Sequence, residues 1–214
     1  MWVDKEIVQT YLIAGLDEEL ARMAAIYIER YPGDDSTAIF RGMQLAYSGK
    51  IDEGRAVMDS TLAAWRAGEE YEKYPQARHS IDAAAFQFAA LLDGVEEDYE
   101  KAATNWSQAI TIMDGHRSFH EQWYPRYRWA SALHSSGQSA KSLEILAPIL
   151  QINPRLISLL VLKVECHLAL RQGDQARQAL DQLQWSLTKS DPDFPQRIRA
   201  EELALQVSAL AVGD

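Results

Sequence analysis

The sequence predicts an all-α protein, a right-handed α-solenoid of about five helix–turn–helix repeats with a C-terminal capping helix. Two observations lead to this fold class. Glycines recur between segments whose apolar residues are spaced three and four positions apart, which is the pattern of amphipathic helices. Two of the intervals between turn glycines are 34 residues, from Gly15 to Gly49, and 36 residues, from Gly137 to Gly173. A regular period of this length is typical of stacked helical repeats.

Each predicted unit is a pair of helices joined by a turn that a glycine marks. Glycine suits the end of the first helix because a residue without a β-carbon adopts the left-handed conformation there at little cost. A small or compact residue stands seven positions before each turn glycine, where it lets the paired helices approach closely. These residues are Val8, Gly42, Ala130 and Cys166. Pro32 and Pro154 end the second helix of their units, because proline supplies no backbone N–H.

We expect the whole chain to form a single domain. Its units span about residues 1–34, 35–74, 76–114, 119–154 and 155–190, and the capping helix spans about 194–211. The third unit, with its turn at Gly94 and an acidic stretch after it, fits the pattern less closely than the others. Residues 66–74 are predicted to extend the second-unit helix until Pro75 stops it, and residues 114–122 to form a loop.

Composition narrows the class of protein. The 214-residue chain is 47% hydrophobic, which is enough to build a core and argues against disorder. Its single Cys cannot form an internal disulfide, which favours a reducing compartment and therefore a cytoplasmic protein. No apolar run approaches the roughly 20 residues of a membrane span, and the first residues lack the layout of a secretory signal. The net charge of −10 disfavours nucleic acid as a partner.

This pattern resembles the tetratricopeptide (TPR) repeat family over about residues 1–190. The residues that carry the resemblance are Gly42, Leu45, Gly49, Ile51, Gly54 and Met58 in the second unit, and Trp129, Ala130, Leu133, Gly137 and Pro154 in the fourth. The family's Trp near the start of the first helix is absent. The Ala that the family has five residues after the turn is replaced at each unit, by Leu20, Gly54, Ser142 and Gln178.

The resemblance implies that the first helix of each pair lines a concave groove. In the family's geometry, the residues 13, 10, 6, 3 and 2 positions before the turn glycine point into it. The groove is then apolar in the second unit and aromatic and basic in the fourth and fifth. The candidate peptide-binding residues are Ile39, Met43 and Tyr47, then Tyr124, Tyr127, Arg128 and His134, and finally Lys163, His167 and Arg171.

These groove residues indicate the chemistry of the ligand. Residues 116–178 hold 8 basic and 4 acidic side chains, although the whole chain is acidic. Lys and Arg donors suit carboxylates, and Tyr provides contact area at low entropic cost. We therefore predict a protein or peptide partner that is acidic and partly apolar, with no nucleic-acid or membrane partner. The other interpretation is that the aromatic residues belong to the core and the basic residues are solvated or pair with Glu144 and Glu165.

The predicted function is noncovalent protein or peptide binding, as a scaffold or adaptor, with no catalytic residue, metal or cofactor. The alternative is a sensory or effector-interaction domain of a larger regulatory protein. An enzyme is less favoured, and would gather His134, His167 and a carboxylate in one closed pocket. His116 and His120 have a metal-ligand spacing but fall in a loop-like stretch. Cys166 on an apolar face is expected to be a packing residue.

The oligomeric state is predicted as a monomer or a homodimer. A homodimer would pair through the long second-unit helix, where Trp65, Tyr71 and Tyr74 are candidates for exposed contact residues. Aromatic side chains on a helix surface provide the contact area that such an interface needs.

Overall fold

The computed structural model describes residues 17–32, 35–115 and 122–212. Within these ranges the chain is 84% helix and has no strand, which confirms the all-α prediction. Eleven helices are described. They are α1 (Asp17–Arg30), α2 (Asp35–Tyr47), α3 (Ile51–Ala67), α4 (Glu69–Lys73), α5 (Pro75–Val95), α6 (Tyr99–Asp114), α7 (Trp123–Ser135), α8 (Ser139–Ile152), α9 (Ile157–Ala169), α10 (Gly173–Ser186) and α11 (Pro195–Val212).

The chain divides into two compact units between Pro125 and Arg126. In the first unit, α2 packs against α1 and α3, and α5 packs against α2, α3, α4 and α6. In the second unit, α9 packs against α8, α10 and α11, and α10 also packs against α11. Most of these packed pairs are therefore helices that follow one another in sequence. The prediction of a single domain over the whole chain stays a prediction.

In the described ranges, four hairpin turns share one backbone geometry. The residue that leaves the first helix has a positive φ at Gly49 (83°), Glu97 (61°), Gly137 (80°) and Arg171 (54°). The N–H of the next residue donates to the carbonyl five positions earlier, as in Lys50 to Leu45 at 2.9 Å and in the three equivalent bonds. This six-to-one bond is the Schellman ending of a helix. The predicted left-handed glycine is thus confirmed at Gly49 and Gly137, while Gly15 lies outside the described residues.

The left-handed residue differs from the expected glycine at two turns. In the third unit it is Glu97, within the acidic turn Glu96–Asp98 that was predicted after Gly94, and in the fifth it is Arg171, so that Gly173 instead begins α10. A non-glycine residue in the left-handed region costs about 1 kcal/mol, which the capping hydrogen bonds offset. The fifth-unit turn therefore follows Gly137 by 34 residues rather than 36.

The corrected register restores the small residues that the repeat pattern requires. The residues seven positions before the turns are Gly42, Ala90, Ala130 and Val164, and those five positions after are Gly54, Ala102, Ser142 and Ala176. All eight are buried. Val164 and Ala176 therefore occupy the places that the sequence analysis gave to Cys166 and Gln178. The closest approach is between α2 and α3, where a β-carbon on Gly54 would lie 2.6 Å from the carbonyl oxygen of Gly42.

The connection from α3 to α5 corrects the prediction of one overlong helix. The first helix ends at Ala67, Gly68 is extended, and the short α4 follows before Pro75 opens α5. Tyr74 is 55% exposed. The Tyr71 hydroxyl instead donates to Asp82 at 3.2 Å and is part-buried. Trp65, with its ring 6.4 Å from that of Phe88, is also only partly exposed, so Tyr74 alone of the three candidate dimer residues is well exposed.

Other helix ends lie where the sequence places them. The first described helix ends at Arg30, ahead of Pro32, and α8 ends at Ile152, ahead of Pro154. The final helix spans Pro195–Val212, close to the predicted capping helix, and packs against both helices of the preceding hairpin. Among the described residues, no helix combines the length and the apolar character needed to cross a membrane.

Candidate functional site

The predicted groove residues of the first unit differ in their accessibility. Ile39 and Tyr47 on α2 are partly exposed, as is Tyr124 on α7, whose ring stacks edge-on against Trp123 at 6.0 Å. Met43 is only 5% exposed and belongs to the core. Because α2 packs against α1, α3 and α5, its side turned toward these helices is not open to a ligand. The assignment of Met43 to a binding groove is therefore wrong.

The predicted residues of the second unit are affected by the corrected register of α9. A shift of two residues rotates a helical position by roughly 200°, since successive side chains are about 100° apart. Counted from Arg171, the residues ten, six and three positions before the turn are Val161, Glu165 and Leu168. Lys163 and His167 do not occupy the predicted groove positions, and Arg171 is itself the turn residue. On α7, by contrast, the turn at Gly137 is as predicted.

An ion pair occupies the groove position that the sequence analysis gave to His167. The Arg199 guanidinium, from α11, donates to one carboxylate oxygen of Glu165 through Nε at 3.0 Å and through Nη2 at 2.7 Å. It also pairs with Glu202 at 2.7 Å. The hydrogen bonds to Glu165 and then to Glu202 raise the pKa of the Arg199 guanidinium. This face of α9 is therefore not the basic surface that was predicted.

Lys163 and His167 instead line a cavity of about 410 Å³ within the second unit. Its wall is the apolar face of α8, and α9 and α10 complete it. The lining residues are Leu143, Leu146, Ala147, Leu150, Gln151, Lys163, His167 and Gln182. The Gln182 side-chain amide donates to the Pro154 carbonyl at 3.0 Å, which fixes the loop between α8 and α9 against α10.

Within the described part of the chain, the cavity lining carries one positive charge and no carboxylate. Lys163 is its one charged residue, and among the described residues its ammonium group has no hydrogen-bond or ion-pair partner. His167 lies one helical turn further along α9, on the same side. Its Nδ1 is 2.7 Å from the side-chain oxygen of Gln172, which can only accept, so Nδ1 carries the proton.

His134 belongs to a separate polar cluster around Cys166. Its Nδ1 lies 2.9 Å from the Ser139 hydroxyl and 3.6 Å from the Cys166 sulfur. The thiol donates to the Ser142 hydroxyl at 3.3 Å and is fully buried. Burial raises the pKa of the Cys166 thiol to about 11, against the lowering effect of the Ser142 hydrogen bond. A thiol that stays protonated at neutral pH is a packing residue, as predicted, and a poor nucleophile.

The other predicted site residues lie on α7, at the fifth-unit turn or outside the described residues. Tyr127 and Arg128 on α7 are partly exposed, and Arg171 is exposed at its turn. His116 and His120 lie outside the described residues. Within the described ranges, no three His, Cys, Asp or Glu side chains are arranged to hold a metal ion. The cavity itself was missed, although leucines spaced at 143, 146 and 150 already marked the apolar face that walls it.

Comparison with protein-family models, with curated proteins and with solved structures gives no match. The resemblance to TPR repeats therefore stays an expectation from the sequence.

Proposed function

We propose that the chain is a noncovalent protein-binding module whose helical hairpins stack, within each unit, as a right-handed TPR-like α-solenoid. The observation that carries the proposal is the repetition of one turn geometry in four hairpins, each with a residue of positive φ followed by a six-to-one hydrogen bond. Small residues at fixed distances from that turn are buried in all four hairpins, and in α2 and α3 two of them, Gly42 and Gly54, lie at a close crossing. Regular hairpins of this kind stack on their neighbours and leave an extended surface suited to protein segments.

The binding surface that we propose in the second unit is the face of the first helices of its hairpins. Tyr127 and Arg128 on α7 supply an aromatic and a cationic side chain, which are the residue types most enriched at binding anchors. Val161 and Leu168 on α9 replace the basic residues expected there and make this face more apolar. The proposed partner is a protein segment with both apolar and acidic residues, whose carboxylate pairs with Arg128.

The proposal is tested with a double variant, Tyr127→Ala with Arg128→Glu. The matched control is Arg177→Glu, a charge reversal at an exposed position of α10. Proteins captured by the wild-type chain are identified, and the affinity of the captured segment is then measured by fluorescence anisotropy. We expect the double variant to lose roughly tenfold or more in affinity and the control to keep it. A double variant with a wild-type far-UV circular dichroism spectrum and unchanged affinity would refute the proposed surface.

A further inference from the structure

The cavity between α8, α9 and α10 is the feature of the second unit that the proposed protein-binding surface does not use. We infer that it binds a small amphipathic carboxylate, a molecule with an apolar chain that ends in a carboxylate group. The inference rests on the size of the cavity, on the division of its lining into apolar and polar parts, and on the charge of that lining. Each of these points to the same class of ligand.

The size and the apolar wall fit a compact hydrocarbon chain. A volume of about 410 Å³ lies within the range of roughly 300–1,000 Å³ that small-molecule sites occupy. Leu143, Leu146 and Leu150 present one continuous apolar face from α8. A cavity walled by leucines gains free energy when an apolar chain replaces the water within it.

The charge of the lining selects the ligand's polar end. Among the described residues, Lys163 is the one charged side chain on the cavity lining; the residue is partly buried, and its ammonium has no partner. A ligand that covered this ammonium without pairing with it would leave a charge unpaired and out of water, which is unfavourable, whereas a carboxylate would pair with it. None of the described lining residues is acidic, so they offer a cationic ligand nothing to pair with. The Lys163 ammonium is thus the group that would hold the carboxylate.

The polar side chains of the lining lie mainly on α9 and α10, with Gln151 on α8. Lys163 and His167 are four residues apart on α9 and face the cavity together. Gln182 lines it from α10, while its amide nitrogen is held by the Pro154 carbonyl. The cavity therefore has a mostly apolar wall on α8, with Gln151 as its polar residue, and a polar side opposite, which is the arrangement that an amphipathic molecule requires.

The test uses the full chain and decanoate as the probe, below its micelle concentration, in isothermal titration calorimetry. Decanol and decyltrimethylammonium have the same chain without the negative charge. We expect decanoate to bind more tightly than either, and Lys163→Met to weaken decanoate binding by roughly tenfold or more, the loss expected for a charge-assisted hydrogen bond. Lys189→Met, at an exposed lysine outside the cavity, is the matched control and should bind decanoate as the wild type does.

A second variant tests the location independently of the charge. Ala147 lines the cavity and is exposed, so Ala147→Phe should fill the space without disturbing the core and abolish binding of all three probes. Equal binding of decanoate and decyltrimethylammonium, or unchanged binding by a folded Lys163→Met variant, would overturn the inference. So would binding of an acidic, leucine-rich peptide in place of decanoate, because the cavity would then serve a protein partner.

The protein-binding test is independent of this one. Lys163→Met leaves Tyr127 and Arg128 intact, so we expect it to keep the captured protein partner. Loss of decanoate binding with retention of that partner would separate the two sites, and loss of both on this single change would contradict their independence.

Discussion

The close crossing of α2 and α3 allows one substitution to be worked out from the structure. In Gly54→Ala, the added β-carbon would lie 2.6 Å from the Gly42 carbonyl oxygen and 3.1 Å from the Ala46 nitrogen. Nonbonded heavy atoms attract at roughly 3.5 Å and beyond. Both contacts are with backbone atoms, which cannot rotate away, so the two helices must separate. The substitution is therefore expected to act as an overpacking change in the core.

The expected magnitude is the difference between two effects. Overpacking costs roughly 1–3 kcal/mol, and replacing a helical glycine by alanine recovers about 0.5–1 kcal/mol. Because the close contacts are with backbone atoms, the overpacking cost belongs in the upper part of its range, about 2–3 kcal/mol, and Gly54→Ala should lower the free energy of unfolding by about 1–2.5 kcal/mol. The matched control is Gly94→Ala in α5, where a β-carbon meets no atom within 4 Å. Gly94→Ala should gain only the higher helix propensity of alanine, which raises the free energy of unfolding by about 0.5–1 kcal/mol.

The assay is urea unfolding followed by far-UV circular dichroism, with the slope of each transition compared between variants to exclude a change in the surface exposed on unfolding. Opposite signs for the two alanine substitutions are expected. If Gly54→Ala is as stable as the wild type while Gly94→Ala is stabilised, the helices do not cross closely at Gly42, and the repeat register derived from that crossing is wrong.

The remaining predictions concern the left-handed turns and the buried thiol. Arg171→Gly should raise the free energy of unfolding by up to about 1 kcal/mol, because glycine adopts the positive φ of this turn without strain. Gly137→Ala should lower it by a similar amount, and urea unfolding measures both changes. A destabilising Arg171→Gly would mean that the turn is at Gly173 after all. The Cys166 thiol should react with a thiol reagent only after unfolding; rapid labelling of the folded chain would contradict its burial. The pKa of this thiol is about 11 in the folded chain and 9.0 ordinarily, so the unfolded chain releases the proton at a lower pH. The free energy of unfolding should therefore fall as the pH rises from 9.0 toward 11. This fall should be smaller in Cys166→Ala, and the same pH profile in both proteins would contradict the raised pKa of the thiol.

Most of the described helices and two of the turns could be predicted from the sequence, whereas the break at Gly68 could not. Amphipathic spacing defines helices because one face must be buried, and Gly49 and Gly137 mark turns because glycine adopts a positive φ without strain. The same rule failed at Glu97 and Arg171, since the six-to-one hydrogen bond stabilises a left-handed residue of any type. Gly173 was close enough to the turn to be mistaken for it.

The site was harder to predict because it depends on that one turn. The turn was assigned to Gly173, two residues after its position at Arg171, and an error of two residues rotates a helix face by roughly 200°. The residues assigned to the groove side of α9 therefore lie on the side that lines the cavity. Lys163 and His167 were assigned to a groove from the sequence, whereas the structure places both on the lining of the cavity; their role in binding stays a prediction. The cavity could not be predicted at all, because periodicity identifies the apolar face of α8 without showing how completely the next helices cover it.

The proposed protein-binding surface is tested most directly by site-specific photo-crosslinking. A benzoylphenylalanine is placed at Tyr127 or, as the control, at Arg177 on α10, and the full chain is irradiated in a lysate. We expect a discrete protein adduct from position 127, abolished by Arg128→Glu in the same chain, and none from position 177. No adduct from position 127, or the same adduct from both positions, would contradict a partner-binding face on the first helices of the hairpins.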